Sequence, residues 1–270
     1  MLANPEAGAK ARLSFTGVKN LRQVTFALHG TSQWEYGIDR GAFGTDPYVS
    51  YEPNLPIFIL DNQIVTWRDA LYDVVKQARL EGRKSRILDI GCGTARALRD
   101  LDRRFNQRSN WFSRSLFHKK EELLVELTGI SAFDWRSNRQ RRSDEEREIT
   151  YLIYDTQNLS HSMLEGFDSV VSVKTLRYLG DPLTAIRGSY RLLKPGGFGF
   201  LDAGMLSRYF SSPEDYALLQ AFWGREYGFQ FNRGGIAFQG SGQHLTTPVR
   251  LAGDWTVGDG ERRARYEFRV

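Results

Sequence analysis

The sequence predicts a doubly wound α/β fold with a mostly parallel sheet. Three observations carry this. From residue 85 onward short apolar strands alternate with helical segments. The strands read as near-continuous apolar runs, the pattern of strands buried on both faces. One of them, in "SRILDIGCGTARALRDL", ends in a glycine-containing turn that opens a helix, the connection that places ligands beyond strand ends.

The elements follow in order. Residues 1–65 are predicted to form an N-terminal arm or lid that ends in a short hairpin. "PIFILDNQIVTW" supplies the two strands, joined at Asp61-Asn62. A main domain over 66–270 follows. It begins with an amphipathic helix over 66–82: Thr66 is a candidate cap, Leu71, Val74, Val75 and Ala78 share a face, and Gly82 stops it. "RILDI" is the first core strand and "ARALRDLDRRF" its helix. "EELLVELTGI" (121–130), "ITYLIYD" (149–155) and "FDSVVSV" (167–173) are the next three strands. The link between the first two of these is polar and charged, which gives little periodicity for a helix. "PLTAIRGSYRLL" is a helix closed by Lys194-Pro195-Gly196-Gly197, and "FGFLDA" (198–203) is the fifth strand. A helix over 212–228 is capped by Ser212, and "RARYEFRV" ends the chain as a strand. The glycine-rich "FNRGGIAFQGSGQHL" between them suits a hairpin or a site loop.

Composition narrows the classes. Of 270 residues, 41% are hydrophobic and 26% charged, enough for a sizeable core. No apolar run approaches the roughly 20 residues of a membrane helix. The N-terminus lacks the apolar centre of a signal peptide. The single cysteine, Cys92, rules out an internal disulfide and a multi-cysteine metal site, so a cytoplasmic setting is expected. The net charge of +5 is concentrated between Arg103 and Arg142. Such a cluster suits a solvated face, or phosphates of a nucleic acid.

In the turn, Gly91 and Gly93 allow close approach to the main chain, and the following helix N-terminus offers N–H groups. A pyrophosphate, a phosphate or a carboxylate would all suit that feature. Arg96 occupies the third glycine place of the dinucleotide pattern, and no phosphate-loop lysine is present. Asp89, at the strand end, would repel a pyrophosphate and suit a ligand bearing a cation.

On these residues the stretch resembles the class I S-adenosylmethionine-dependent methyltransferases. "LDIGCGTA" follows their first motif, with Ala95 in the last glycine place. "ITYLIYDTQNLS" and "GFDSVVSVKTLRYLGDPLTAIRGSYRLLKPGGFGFLD" resemble later motifs, so the likeness covers about 85–204. It implies a Rossmann-like sheet of seven strands and S-adenosyl-L-methionine as cofactor. It places Asp89, Gly91 and Gly93 at the methionine portion, with Cys92 inside the turn as a core-facing or ligand-lining residue, and Asp155 with Thr156 at the adenine. Where relatives carry a ribose-binding acid, this chain has Ser131, with Asp134 three residues on as a substitute. No metal is implied.

A displacement at a methyl group needs alignment and exclusion of water, and a base only for a protonated nucleophile. The Asn/Asp-Pro-Pro-Tyr/Phe signature of amino-group methylation is absent. Candidate catalytic residues are Lys174, Tyr178, His161 and His244. The expected function is methyl transfer to a small or medium-sized acceptor. The alternatives are an RNA or macromolecular acceptor docked through the basic region, and a degenerate domain that only binds, motivated by Ser131 and Ala95.

Overall fold

The computed structural model describes residues 56–60, 63–106, 124–155, 159, 166–173, 175–176, 179–202, 206–232, 235–257 and 261–269. The arm preceding residue 56, and the Asp61-Asn62 turn, lie outside them. β1 (Pro56–Leu60) and β2 (Gln63–Thr66) form the expected antiparallel pair. Helix α1 (Trp67–Leu80) buries Leu71, Val75 and Ala78 of the face its spacing marks, with Val74 half-buried at its edge. It ends before Gly82, which takes φ 71°.

The core alternates as expected: β3 (Ser85–Ile90), α2 (Arg96–Phe105), β4 (Val125–Ser131), α3 (Asn138–Glu146), β5 (Thr150–Ile153), β6 (Phe167–Ser172), α4 (Pro182–Leu192), β7 (Leu193–Leu201). α5 (Pro213–Tyr227), β8 (Gln230–Asn232) and β9 (Gly235–Gln239) complete it. Among the described residues the main sheet has seven strands in the order β5-β4-β3-β6-β7-β9-β8. All its pairings are parallel except those made by β9. Strand order therefore reverses at β3, which pairs with β4 on one side and β6 on the other. That reversal opens a crevice at the carboxyl ends of β3 and β6.

Each strand divides its side chains between two cores, because alternate residues face opposite ways. Ile87, Leu127 and Val171 pack against Leu71 and Val75 of α1 and Leu98 of α2. Leu88, Ile90, Ile130 and Val170 pack against Ile186 and Tyr190 of α4 and Trp223 of α5. Helices on both faces explain why all of β6 is buried. Its one acid, Asp168, sits at the amino end and accepts Arg83 Nη1 and Nη2 at 2.7 and 2.8 Å. That clamp lies at the far end of the strand from the crevice and is structural.

Three elements differ from the sequence expectations, and the glycine-rich stretch resolves into one of its two expected forms. α3 is a full helix despite its polar sequence. Ser137 and Gln140 form a capping box, and the helix is anchored by buried Asp144 rather than by an apolar stripe. The Lys194–Gly197 turn is absorbed into β7, whose register with β6 shifts between Phe167 and Ser169. The glycine-rich stretch is the β8–β9 hairpin followed by a loop. The terminal strand is β11 (Glu261–Phe268), which pairs with an unforeseen β10 (Val249–Val257) in a separate sheet. Tyr266 holds that hairpin to the main domain by donating to Asp181 Oδ1 at 2.5 Å.

Candidate active site

The turn after β3 is clamped from both neighbouring strands. Gly91 N and Cys92 N donate to Ile130 O of β4 at 2.8 and 3.0 Å. From the β6 side, Ser172 Oγ and Thr175 Oγ1 donate to Ile90 O at 2.9 and 3.2 Å. Gly91 and Gly93 take φ 78° and 52°. A Cβ on Gly91 would lie 1.9 Å from Thr175 Oγ1, so the glycine is required sterically as well as conformationally. Ala95, in the third glycine place, also adopts φ 59°, with its methyl wholly buried. The left-handed conformation costs an alanine about 1 kcal/mol, which its buried methyl offsets by a similar amount.

Asp89 lies at the tip of β3, beside Gly129 and Val171 in register, and is 6% exposed. Ser131 ends β4, and Asp155 follows β5. The tips of β3, β4 and β5 are adjacent. At about 4.8 Å per strand, the three residues step across about 10 Å. A row of carboxylate, hydroxyl and carboxylate on that span suits an elongated ligand with a cationic end and a donor-bearing ring.

Cys92 takes the core-facing of its two expected placements, and Asp134 is placed differently from expectation. Cys92 points into the core: its Sγ would lie 2.6 Å from a Cβ on Gly129. Burial pushes its thiol well up, and the charge of Asp89 adds to this. Only its backbone belongs to the turn. Asp134 does not turn back toward a ribose, because cations hold both its oxygens. Oδ1 accepts Arg136 N and Nε at 3.1 and 2.9 Å, Oδ2 accepts Arg136 Nη2 at 3.1 Å, and Arg141 Nε pairs with Oδ2 at 3.1 Å. Burial pushes its carboxyl up, but the bonds from Arg136 and the charges of Arg136 and Arg141 outweigh this and hold it below its usual value.

His244 is removed from the crevice. β9 runs antiparallel to β7, so its end at Gln239 lies level with Phe198, toward the amino ends of the parallel strands. Gly240, next along, bonds with Gly196 and Gly197, and His244 O accepts Tyr227 Oη at 3.3 Å in the loop that follows. The histidine is on the wrong side of the sheet to serve as a base at Asp89. Thr156, His161, Lys174 and Tyr178 lie outside the described residues.

Tyr151 and the ion network around it are not evident from the sequence. Tyr151 Oη bonds to Gly93 O at 2.7 Å and to Phe133 O at 2.9 Å. Arg136 lies over its ring, 3.8 Å from the centroid. Arg136 Nη1 and Arg99 Nη1 both donate to buried Asp144, at 3.1 and 2.8 Å, and Arg99 Nη2 donates to Thr94 O at 2.7 Å. A tyrosine in an apolar edge strand carries no sequence signal of this role. The Ser-x-x-Gln box marks the start of α3 but not which of its faces turns inward.

Comparison with known proteins places the same region. Residues 88–198 match the family model described as a methyltransferase domain. A ubiquinone biosynthesis O-methyltransferase of Xanthomonas oryzae pv. oryzae (strain PXO99A) is 29% identical over 150 residues, 56% of this chain and 53% of that protein. One from Alkalilimnicola ehrlichii is 31% identical, over 55% of this chain and 49% of its own length. The chain thus spans about half the length of these curated relatives. Among solved structures, an amino pentose methyltransferase of Micromonospora echinaspora with bound S-adenosylmethionine is similar at TM-score 0.30 and 20% identity, covering 51% of each chain. A phosphoethanolamine N-methyltransferase of Haemonchus contortus is similar at TM-score 0.35 and 19% identity, covering 68% of this chain and 36% of that one.

Proposed function

We propose that the chain is a class I S-adenosylmethionine-dependent methyltransferase, on the match of residues 88–198 to a methyltransferase domain and the likeness to O-methyltransferases, and that it transfers the methyl group of S-adenosylmethionine to a small or medium-sized acceptor by direct displacement. The observation that carries this reading is the row Asp89, Ser131, Asp155 on adjacent strand tips, beside two positive-φ glycines. The donor set fits the cofactor: a buried carboxylate for an ammonium group, a hydroxyl for a ribose, and a half-buried carboxylate for an adenine amino group. When bound, the cofactor supplies an electrophilic methyl on a sulfonium.

Each residue then has a task. Asp89 holds the amino-acid end, with the Gly91–Gly93 backbone close against it. Ser131 accepts from the ribose, without the charge assistance an acid would give. Asp155 and Thr156 receive the adenine. The crevice at the carboxyl end of β6 aligns the acceptor, and Lys174, Tyr178 and His161 remain the candidate catalytic groups from the sequence. An oxygen nucleophile that arrives protonated calls for a base. The O-methyltransferase relatives favour an oxygen acceptor. The single, buried cysteine accords with a reducing, cytoplasmic location.

A small acceptor is favoured over RNA because part of the basic stretch is spent internally. Arg136 and Arg141 pair with Asp134, and Arg103 pairs with Asp100. The binding-only reading loses one of its two motives, since Ala95 adopts the conformation of the glycine it replaces. The test is transfer of tritium from methyl-labelled S-adenosylmethionine to a set of phenols, catechols, amines and RNA. Label in a hydroxylated small molecule is expected. Saturable cofactor binding with no label in any acceptor would replace this reading with that of a binding module.

A further inference from the structure

Both carbonyls at the crown of the turn are held from outside it. Tyr151 Oη shares its proton between Gly93 O at 2.7 Å and Phe133 O at 2.9 Å. Arg99 Nη2 holds Thr94 O at 2.7 Å. In a trans peptide the C=O and the next N–H point in opposite directions. Tyr151 therefore sets the plane of the 93–94 peptide. Arg99 sets that of the 94–95 peptide, whose N–H closes the turn on Cys92 O at 2.8 Å. Glycines at φ 78° and 52° impose little orientation of their own.

We infer that Tyr151 is a positioning residue for cofactor binding: its hydroxyl, under the Arg136 guanidinium, ties the glycine turn after β3 to the loop after β4. This rests on the cofactor reading above. The two sides of that tie are the methionine and ribose ends of the proposed site, and the Ser131 hydroxyl lies beside the same phenol. Where relatives hold the ribose with an acid, this chain fixes the frame instead. The Arg136 guanidinium is kept over the ring by two bonds to Asp134 and one to Asp144, so the tyrosine has little freedom to leave the turn. Burial pushes the phenol well above its usual value, which keeps it a donor at all physiological pH values.

Tyr151→Phe keeps the ring beneath Arg136 and removes the one hydroxyl. Calorimetry with S-adenosylhomocysteine should show binding weakened by about fivefold, the scale of one hydrogen bond. The KM for S-adenosylmethionine should rise in step, with kcat at saturation within about twofold of wild type. Equal Kd values for variant and wild type, or a fall in kcat with Kd unchanged, would overturn the inference and leave the proposed function standing. A wild-type chain that binds no S-adenosylhomocysteine would instead sink the proposed function first. A second measurement covers a variant that does not fold. 3-Fluorotyrosine placed at 151 should give a ¹⁹F signal that shifts as S-adenosylhomocysteine saturates the site, and a signal unmoved at saturation would overturn the inference.

Discussion

Gly91 bears the tightest steric demand at the site. Its φ of 78° and the 1.9 Å separation between Thr175 Oγ1 and any Cβ added there act together. Gly91→Ala should therefore cost about 2–4 kcal/mol of stability, measurable by urea denaturation. Asp134 gives a pH signature. Its folded pKa is lowered, so it adds stability above its ordinary value of 3.8 and loses it as pH falls through the folded value. Asp134→Asn should thus be less stable than wild type at neutral pH, and the gap should narrow in denaturation experiments near pH 3. At this scale Asp89, Gly91 and Gly93 were legible because strand, acid and turn are contiguous in the sequence. Tyr151, Arg99 and Asp144 were not, because the contacts that join them into one network, Arg99 to Asp144 and Tyr151 to Gly93, span 45 and 58 residues.

Among the elements, α3 shows where periodicity fails. Its only buried side chain is Asp144, so no apolar stripe could reveal it. It is held instead by its cap and by ion pairs to Arg99 and Arg136. Ser137→Ala should cost about 1 kcal/mol, read as a lowered denaturation midpoint at unchanged slope. The strands β3, β4, β5, β6 and β7 and the helices α1, α2, α4 and α5 were legible because each has an apolar face or run of its own. β10 was not: its Gly253 and Asp254 interrupt the alternation that marks a half-buried strand. The same reasoning explains His244. Its nearness in sequence to a glycine-rich stretch suggested a site loop, but the reversal of β9 carries the chain to the opposite end of the sheet.

At the level of the whole molecule, strand order makes the site. β3 lies between β4 and β6, so its tip faces a crevice that neither neighbour closes. The sequence implied parallel strands and the ligand end of the sheet, but order is set by long-range pairing that no local pattern encodes. Charge at this scale separates the two acceptor classes. With Arg136 and Arg141 engaged internally by Asp134 and Asp144, turnover should vary by less than about twofold between about 50 and 200 mM salt, whereas an acceptor held by many phosphates would lose about a thousandfold. The proposed function rests on the Asp89 carboxylate gripping the cationic end of S-adenosylmethionine. Titrating S-adenosylhomocysteine into wild type and Asp89→Asn by calorimetry examines that contact alone. Wild type should show a single saturable site, and the variant should bind about tenfold or more weakly, the loss of a charge-assisted bond. Equal affinity in the two proteins, or no saturable heat in wild type, would contradict it.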